Sequence, residues 1–398
     1  MHIIQRKAWG CLVLALIGLG SVNLLAANSL VVRTDLESTR VAEPGHPTEF
    51  ETMDWFVKTL PYPVVIAGSD EDKEMSAISD GARALFQAGD FQKLDALFKK
   101  LRDSKEQFAN GSWKFLFAYC GIRPAESASE TDWEVHLAKL QAWTNAQPQS
   151  VSARVAMADA FVSYAWKARG NGWANDVSQI GWILFNSRLT EASRILIQAR
   201  SLKERCPYMW SVMFRTELGL STDRRIFDAN FQRAVTAWPN YTAFYQGRAW
   251  YFLPRWNGEN GEWEADLGKS ADALGGEAGD ILYAREVWAM HQSRLFSNIF
   301  NDTNLSWARV NKGLAALEKQ FPNSLQTLSE HAYLAALAED AATAHKYLTL
   351  IQGKVDLTIW GTRDTFLHCA NWSSMQDDQA RVAAMLEQPQ GSQLSQLH

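Results

Sequence analysis

Residues Glu74–Ser104 read EMSAISDGARALFQAGDFQKLDALFKKLRDS, and this stretch decides the fold class. Ile78, Ala82, Leu85 and Phe86 recur at three- and four-residue spacing and make one apolar stripe of a helix. Gly89 stops that helix and Asp90 is placed to cap the next one, whose stripe is Leu94, Leu97, Phe98 and Leu101. Two amphipathic helices joined by a two-residue punctuation form an antiparallel hairpin.

The same grammar continues toward the C-terminus. Thr131 and Glu134 have the spacing of a capping box for a helix running to about Asn145. Pro148 then turns the chain, and Ser150 caps a long helix through Trp166. The punctuation recurs as AWPNYT around Pro239 and QFPNS around Pro322, with a step of 32 residues from Pro207 to Pro239. Alternating β-branched runs are nearly absent after Asp72, although Val64–Ile66 could form a short strand. The expectation is an all-α protein of stacked antiparallel helix hairpins, a solenoid with irregular Gly/Trp-rich loops.

The composition permits such a fold. The chain has 398 residues, 47% apolar and 21% charged, and its 24 Gly and 11 Pro are too few for a collagen-like or low-complexity chain. At the N-terminus, Arg6 and Lys7 precede an apolar run from Ala8 to Leu25 that ends in Ala26 and Ala27, the layout of a secretory signal peptide. An uncleaved inner-membrane anchor over residues 8–25 is the alternative. The expected organisation is a signal peptide over 1–27, an extended arm over 28–72, a helical domain over 73–386 and a flexible tail over 387–398. The location is periplasmic or secreted, with membrane contact only if the N-terminal segment stays in place.

Loss of Arg6 and Lys7 leaves 37 basic residues against 44 acidic ones, so the mature chain is net negative. No basic stretch survives, which argues against nucleic acid as a partner. Cys120, Cys206 and Cys369 lack CxxC spacing, and three small buried apolar residues are the simplest account of them. His136, His291, His331, His345 and His368 show no metal-binding spacing, and there is no GxSxG, no P-loop and no dinucleotide-binding glycine pattern. No cofactor and no metal are expected.

Phe231, Ala234 and Pro239 have the spacing of a second helix and closing proline of the tetratricopeptide repeat, and Leu314, Leu317 and Pro322 follow it with Leu in place of the small residue. In these positions the chain resembles the tetratricopeptide superfamily, although the Trp, Leu-Gly and Tyr of its first helix do not occur in order. Two Gly- and Trp-rich stretches carry a second resemblance. Ser163–Ala192 reads SYAWKARGNGWANDVSQIGWILFNSRLTEA, and Tyr251–Arg285 reads YFLPRWNGENGEWEADLGKSADALGGEAGDILYAR. Both look like hallmark segments of an uncharacterised family of exported bacterial proteins with tetratricopeptide-like helices, a resemblance spanning roughly Glu74 to Arg285. It implies a fold and no activity.

Loops inserted between hairpins of a solenoid project on one face, often the binding face. The candidate binding residues are therefore Arg169, Trp173, Arg255, Trp256, Glu262, Trp263, Asp280 and Arg285. Trp supplies flat contact area with one donor, Arg a planar fork for carboxylates, and the acids supply acceptors. With 17 Trp in the chain, most must fill gaps between helices, so each candidate is weighed against a packing role. The two stretches are expected to pack near each other. The favoured function is a non-catalytic scaffold for a peptide or protein partner. The alternative is an α/α-toroid hydrolase acting on glycans, with Trp stacking on sugars and a carboxylate pair drawn from Glu262, Glu264, Asp266 and Asp280.

Overall fold

A computed structural model of the chain describes residues 53, 56–125, 127–170 and 172–387. The signal peptide or anchor over 1–27, most of the extended arm and the tail from 388 onward lie outside the described residues. Among the described residues the fold is all-α apart from one pair of two-residue strands. The chain divides into two compact units, Asp70–Pro322 and the described part of Gly20–Ser69 together with Asn323–His398.

The larger unit opens with the expected hairpin. Helix α1 (Asp70–Ala88) stops at Gly89, whose φ of 71° is the left-handed conformation glycine adopts without strain. Asp90 then accepts a hydrogen bond from the Lys93 amide at 3.2 Å and caps α2 (Phe91–Ser104). The buried face of α1 is Met75, Ser79, Ala82 and Phe86, rotated slightly from the apolar stripe because Ser79 takes an inward position. Its hydroxyl donates to the Phe117 carbonyl at 2.9 Å, on α3 (Lys114–Ile122). Gly121 sits so close to the Ser79 carbonyl that no Cβ could be accommodated.

The cap of α4 (Glu130–Ala146) corrects the sequence expectation. The capping box is made by Ser129 and Asp132, with the Ser129 hydroxyl accepting from the Asp132 amide at 3.2 Å and the Asp132 carboxylate accepting from the Ser129 amide at 2.8 Å. Thr131 and Glu134 have equivalent spacing but already lie inside the first turn. The Asp132 carboxylate reaches back to the Ser129 amide as Glu or Gln does in the usual box, and this earlier box starts the helix.

Ser150 caps α5 (Val151–Arg169) as its position predicts, accepting from the Ala153 amide at 2.9 Å. Nearly every side chain of α5 from Val151 to Trp166 is buried, which makes it the central helix of the unit. It pairs with α6 (Gln179–Ser201), and α7 (Pro207–Gly219), opened by Pro207, is equally buried. Then come α8 (Arg224–Ala237), α9 (Ala243–Tyr251), α10 (Glu262–Leu274), α11 (Gly276–Gln292) and α12 (Trp307–Gln320). The last two pack closely where Gly313 meets the Asp280 carbonyl.

In the smaller unit, β1 (Val65–Ile66) pairs in parallel with β2 (Lys354–Val355), Val65 opposite Lys354 and Ile66 opposite Val355. The strand expected at Val64–Ile66 is thus present, one residue shorter. Ser324 caps α13 (Leu325–Leu337), which packs against α14 (Ala341–Ile351), and α15 (Leu357–Trp360) and α16 (Arg363–Glu387) complete the unit. His331 stacks on Tyr347 with ring centres 3.8 Å apart in its core.

Candidate functional site

The two Gly- and Trp-rich stretches meet in the larger unit. α5 ends at Arg169 because Gly170 turns the chain with a φ of 71°. Arg169 Nη1 donates to the carbonyls of Gly170 and Gly172, both at 3.2 Å, and holds the following loop against the helix end. A cation at this position is also favoured by the helix dipole. After α9 the chain folds back on itself, with the Trp256 amide donating to the Leu253 carbonyl at 2.8 Å and the Asn257 amide to the Tyr251 carbonyl at 3.1 Å. Gly258 makes this turn possible, because a Cβ there would strike the Phe252 carbonyl.

These turns bring the arginines and tryptophans into alternation. The Arg255 guanidinium lies 5.4 Å from the Trp173 ring centre and 5.9 Å from that of Trp256. The Arg169 guanidinium lies 5.6 Å from Trp256, 5.6 Å from Trp166 and 5.5 Å from Trp182. Trp166 and Trp256 meet edge to face at 5.5 Å, and Trp166 and Trp182 both abut Phe185, which is buried in α6. The result is a cation–π ladder of two guanidiniums and four indoles, founded on the α5–α6 hairpin and finished by the loop after α9. Each contact is worth about 0.5–2 kcal/mol, more where water is excluded.

Charge at the ladder is unbalanced around Arg169. Among the described residues no carboxylate lies within ion-pairing distance of it, its Nε is buried without a hydrogen-bond partner, and its Nη2 donates to no described residue. Burial lowers the Arg169 pKa, and burial followed by the Arg169 charge lowers that of Arg255. Trp173 is 64% exposed and forms the outer rung, and Ile180 and Ile183, on the first turns of α6, are 60% and 55% exposed.

The remaining candidates from the second stretch lie elsewhere, because that stretch is helical beyond Gly261. Trp263 is only 2% exposed, packed against Phe296 at 5.8 Å, and continues into Leu267 and Ala271 as the buried stripe of α10. Its helical spacing makes it a core residue and not a contact surface. Glu262 binds Arg224 at 2.5 Å and accepts from the Glu259 amide at 2.9 Å, which closes the N-terminal turn of α10. Asp280 is nearly buried between Arg309 at 3.2 Å and Lys312 at 2.7 Å and ties α11 to α12. Arg285 donates to the Asn110 carbonyl at 2.7 Å and braces the loop before α3.

Of the four carboxylates considered for hydrolysis, three are ion-paired: Glu262 with Arg224, Asp266 with Arg248 at 2.7 Å, and Asp280 as above. Burial raises the pKa of the fourth, Glu264.

A second charged cluster escaped the sequence reading. Asp159 of α5 receives hydrogen bonds from Arg123 at 2.9 Å and from Arg215 of α7, and the Tyr208 hydroxyl bridges the two guanidiniums. Burial alone would raise the Asp159 pKa, but the two arginines overcome it and hold the carboxyl down to about 2. Its signal was available in the sequence: Asp159 and Arg215 each interrupt a long apolar helix, and a charge in such a place requires a partner. Cys120, Cys206 and Cys369 are free thiols, each with its pKa pushed up by burial, as suits inert packing residues.

No curated protein matches the chain. Residues 80–222 match the sequence profile of a family described as Domain of unknown function (DUF4034). The match runs from α1 to just beyond α7 and holds the Arg169 half of the ladder, and it ends before Arg255 and Trp256, which the resemblance noted in the sequence had included. Over this central segment, the chain is similar to a family whose function is unknown.

Proposed function

We propose that the chain is an exported, non-catalytic helical scaffold of the tetratricopeptide kind that holds a peptide or protein partner on the ladder joining its two Gly- and Trp-rich stretches. The observation that carries this reading is the meeting of the stretches at Trp256, with Trp173 left exposed on the outer rung. Scattered single apolar residues are ordinary on a protein surface, whereas a large indole on a loop held by two arginines offers contact area already fixed in position. Export rests on Arg6, Lys7 and the apolar run from Ala8 to Leu25.

Two experiments test the reading. Cell fractionation should recover the chain outside the cytoplasm; soluble full-length protein in the cytoplasm refutes export, and full-length protein in the inner membrane selects the anchor. Affinity capture from the envelope fraction with the wild-type chain and with Trp173→Ala should yield a partner that the variant holds at least about fivefold less. Equal capture by both chains removes the ladder from the binding surface.

A further inference from the structure

We infer that the Arg169–Arg255 ladder recognises an acidic peptide segment, with Asp or Glu side chains set beside an aromatic or aliphatic residue. The inference rests on the scaffold reading and narrows it to a ligand chemistry.

Three observations carry it. The guanidiniums of Arg169 and Arg255 lie 5.6 Å and 5.9 Å from the ring centre of the single Trp256 indole, and among the described residues no carboxylate lies within ion-pairing distance of Arg169. Elsewhere in the same unit Arg248 binds Asp228 and Asp266, Arg309 binds Asp272 and Asp280, and Arg123 and Arg215 share Asp159, whereas Arg154 donates, among the described residues, only to the Ser150 carbonyl. Arg169 has two carbonyls on Nη1, and the donor left over, Nη2, is one arm of the planar fork that pairs with carboxylates.

Apolar surface supplies the second half of the specificity. Trp173, the rung against Arg255, is more than half exposed, and Trp182 reaches Arg169 from the first turn of α6. A ligand made only of charge would leave the Trp173 indole in water. An acidic residue followed by Phe, Tyr, Leu or Ile would use both.

Long polyanions fit less well. The mature chain is net negative and has no basic stretch, so a nucleic acid or an anionic membrane would meet two cations within a repulsive field. A short segment meets only the local pair.

The test uses the purified chain on an array of short peptides in which Glu, Gln, Lys, Phe, Ile and Gly are permuted. Expected is capture of peptides with Glu next to Phe or Ile, with Gln versions of the same peptides at least about fivefold weaker and with binding that falls as salt is raised. Arg255→Gln and Arg169→Gln should each bring Glu peptides down to the Gln level, at some cost in stability. The Glu-against-Gln comparison on the unaltered chain decides the matter even if a variant fails to fold. Capture without preference for acidic peptides overturns this inference and leaves the scaffold reading standing. Capture of no peptide also overturns this inference, and the scaffold reading is then decided by the envelope capture alone. Arg255-dependent sedimentation with phosphatidylglycerol vesicles, without acidic-peptide capture, assigns the ladder to a membrane and also overturns it.

Discussion

The guanidinium of Arg169 lies 5.6 Å from the ring centre of Trp256, and this contact joins the C-terminal end of α5 to the loop that follows α9. Trp256 also meets Arg255 and Trp166, so its indole is the shared rung on which both stretches depend. Trp263, only seven positions further along, belongs to another environment altogether.

The three tryptophans should therefore separate by stability. Trp263→Ala empties a core position and should cost about 3–5 kcal/mol. Trp256→Ala, half-buried and in contact with two cations, should cost about 2 kcal/mol, and Trp173→Ala less than about 1 kcal/mol. Urea unfolding of the three variants gives the order directly. Equal losses at Trp173 and Trp263 would contradict the burial difference.

Asp159 compensates two guanidiniums in the core, and its removal should be among the most damaging single changes. Asp159→Asn is expected to cost about 3–5 kcal/mol at neutral pH, because it strands Arg123 and Arg215. The pH dependence has a definite sign. A carboxyl held at about 2 when folded, against about 4 when unfolded, contributes stability above pH 4 that is lost as the pH falls from 4 through 2. Acid titration of stability, wild type against variant, should show a steeper slope in that window for the wild type.

Glu217 should act in the opposite direction. It lies almost buried in α7, where burial raises its pKa to about 7 despite the hydrogen bond from Asn230 at 2.5 Å. An acid with a raised folded pKa favours the folded state while protonated, so its contribution is fully present below about pH 4.5 and is lost as the pH rises through 7. Glu217→Gln keeps the shape and removes the titration. At pH 8 it should be more stable than the wild type by about 1–3 kcal/mol, and below pH 4.5 the difference should disappear. Thermal midpoints at the two pH values test this.

The competing capping boxes of α4 can be told apart by a pair of substitutions. Ser129→Ala should cost about 1 kcal/mol, and Thr131→Ala should stay within about 0.5 kcal/mol. Both can be read from urea midpoints, and the reverse order would place the helix start two residues later.

Short-range features were legible in the residues. The stop at Gly89 and the caps at Asp90 and Ser150 depend on contacts within a few positions, and any chain with those residues in that order meets the same local sterics and orphan amides. The all-α class followed from the same source. Packing alone decided which tryptophan was a rung and which was core. Trp256 and Trp263 share a glycine-rich neighbourhood in sequence, but Gly258 folds the first back toward Arg169 while α10 turns the second inward with Leu267 and Ala271. The pairing of Asp159 with Arg123 and Arg215 is of the same kind: each charge announced that it needed a partner, and only the docking of α7 against α5 determined which one it found.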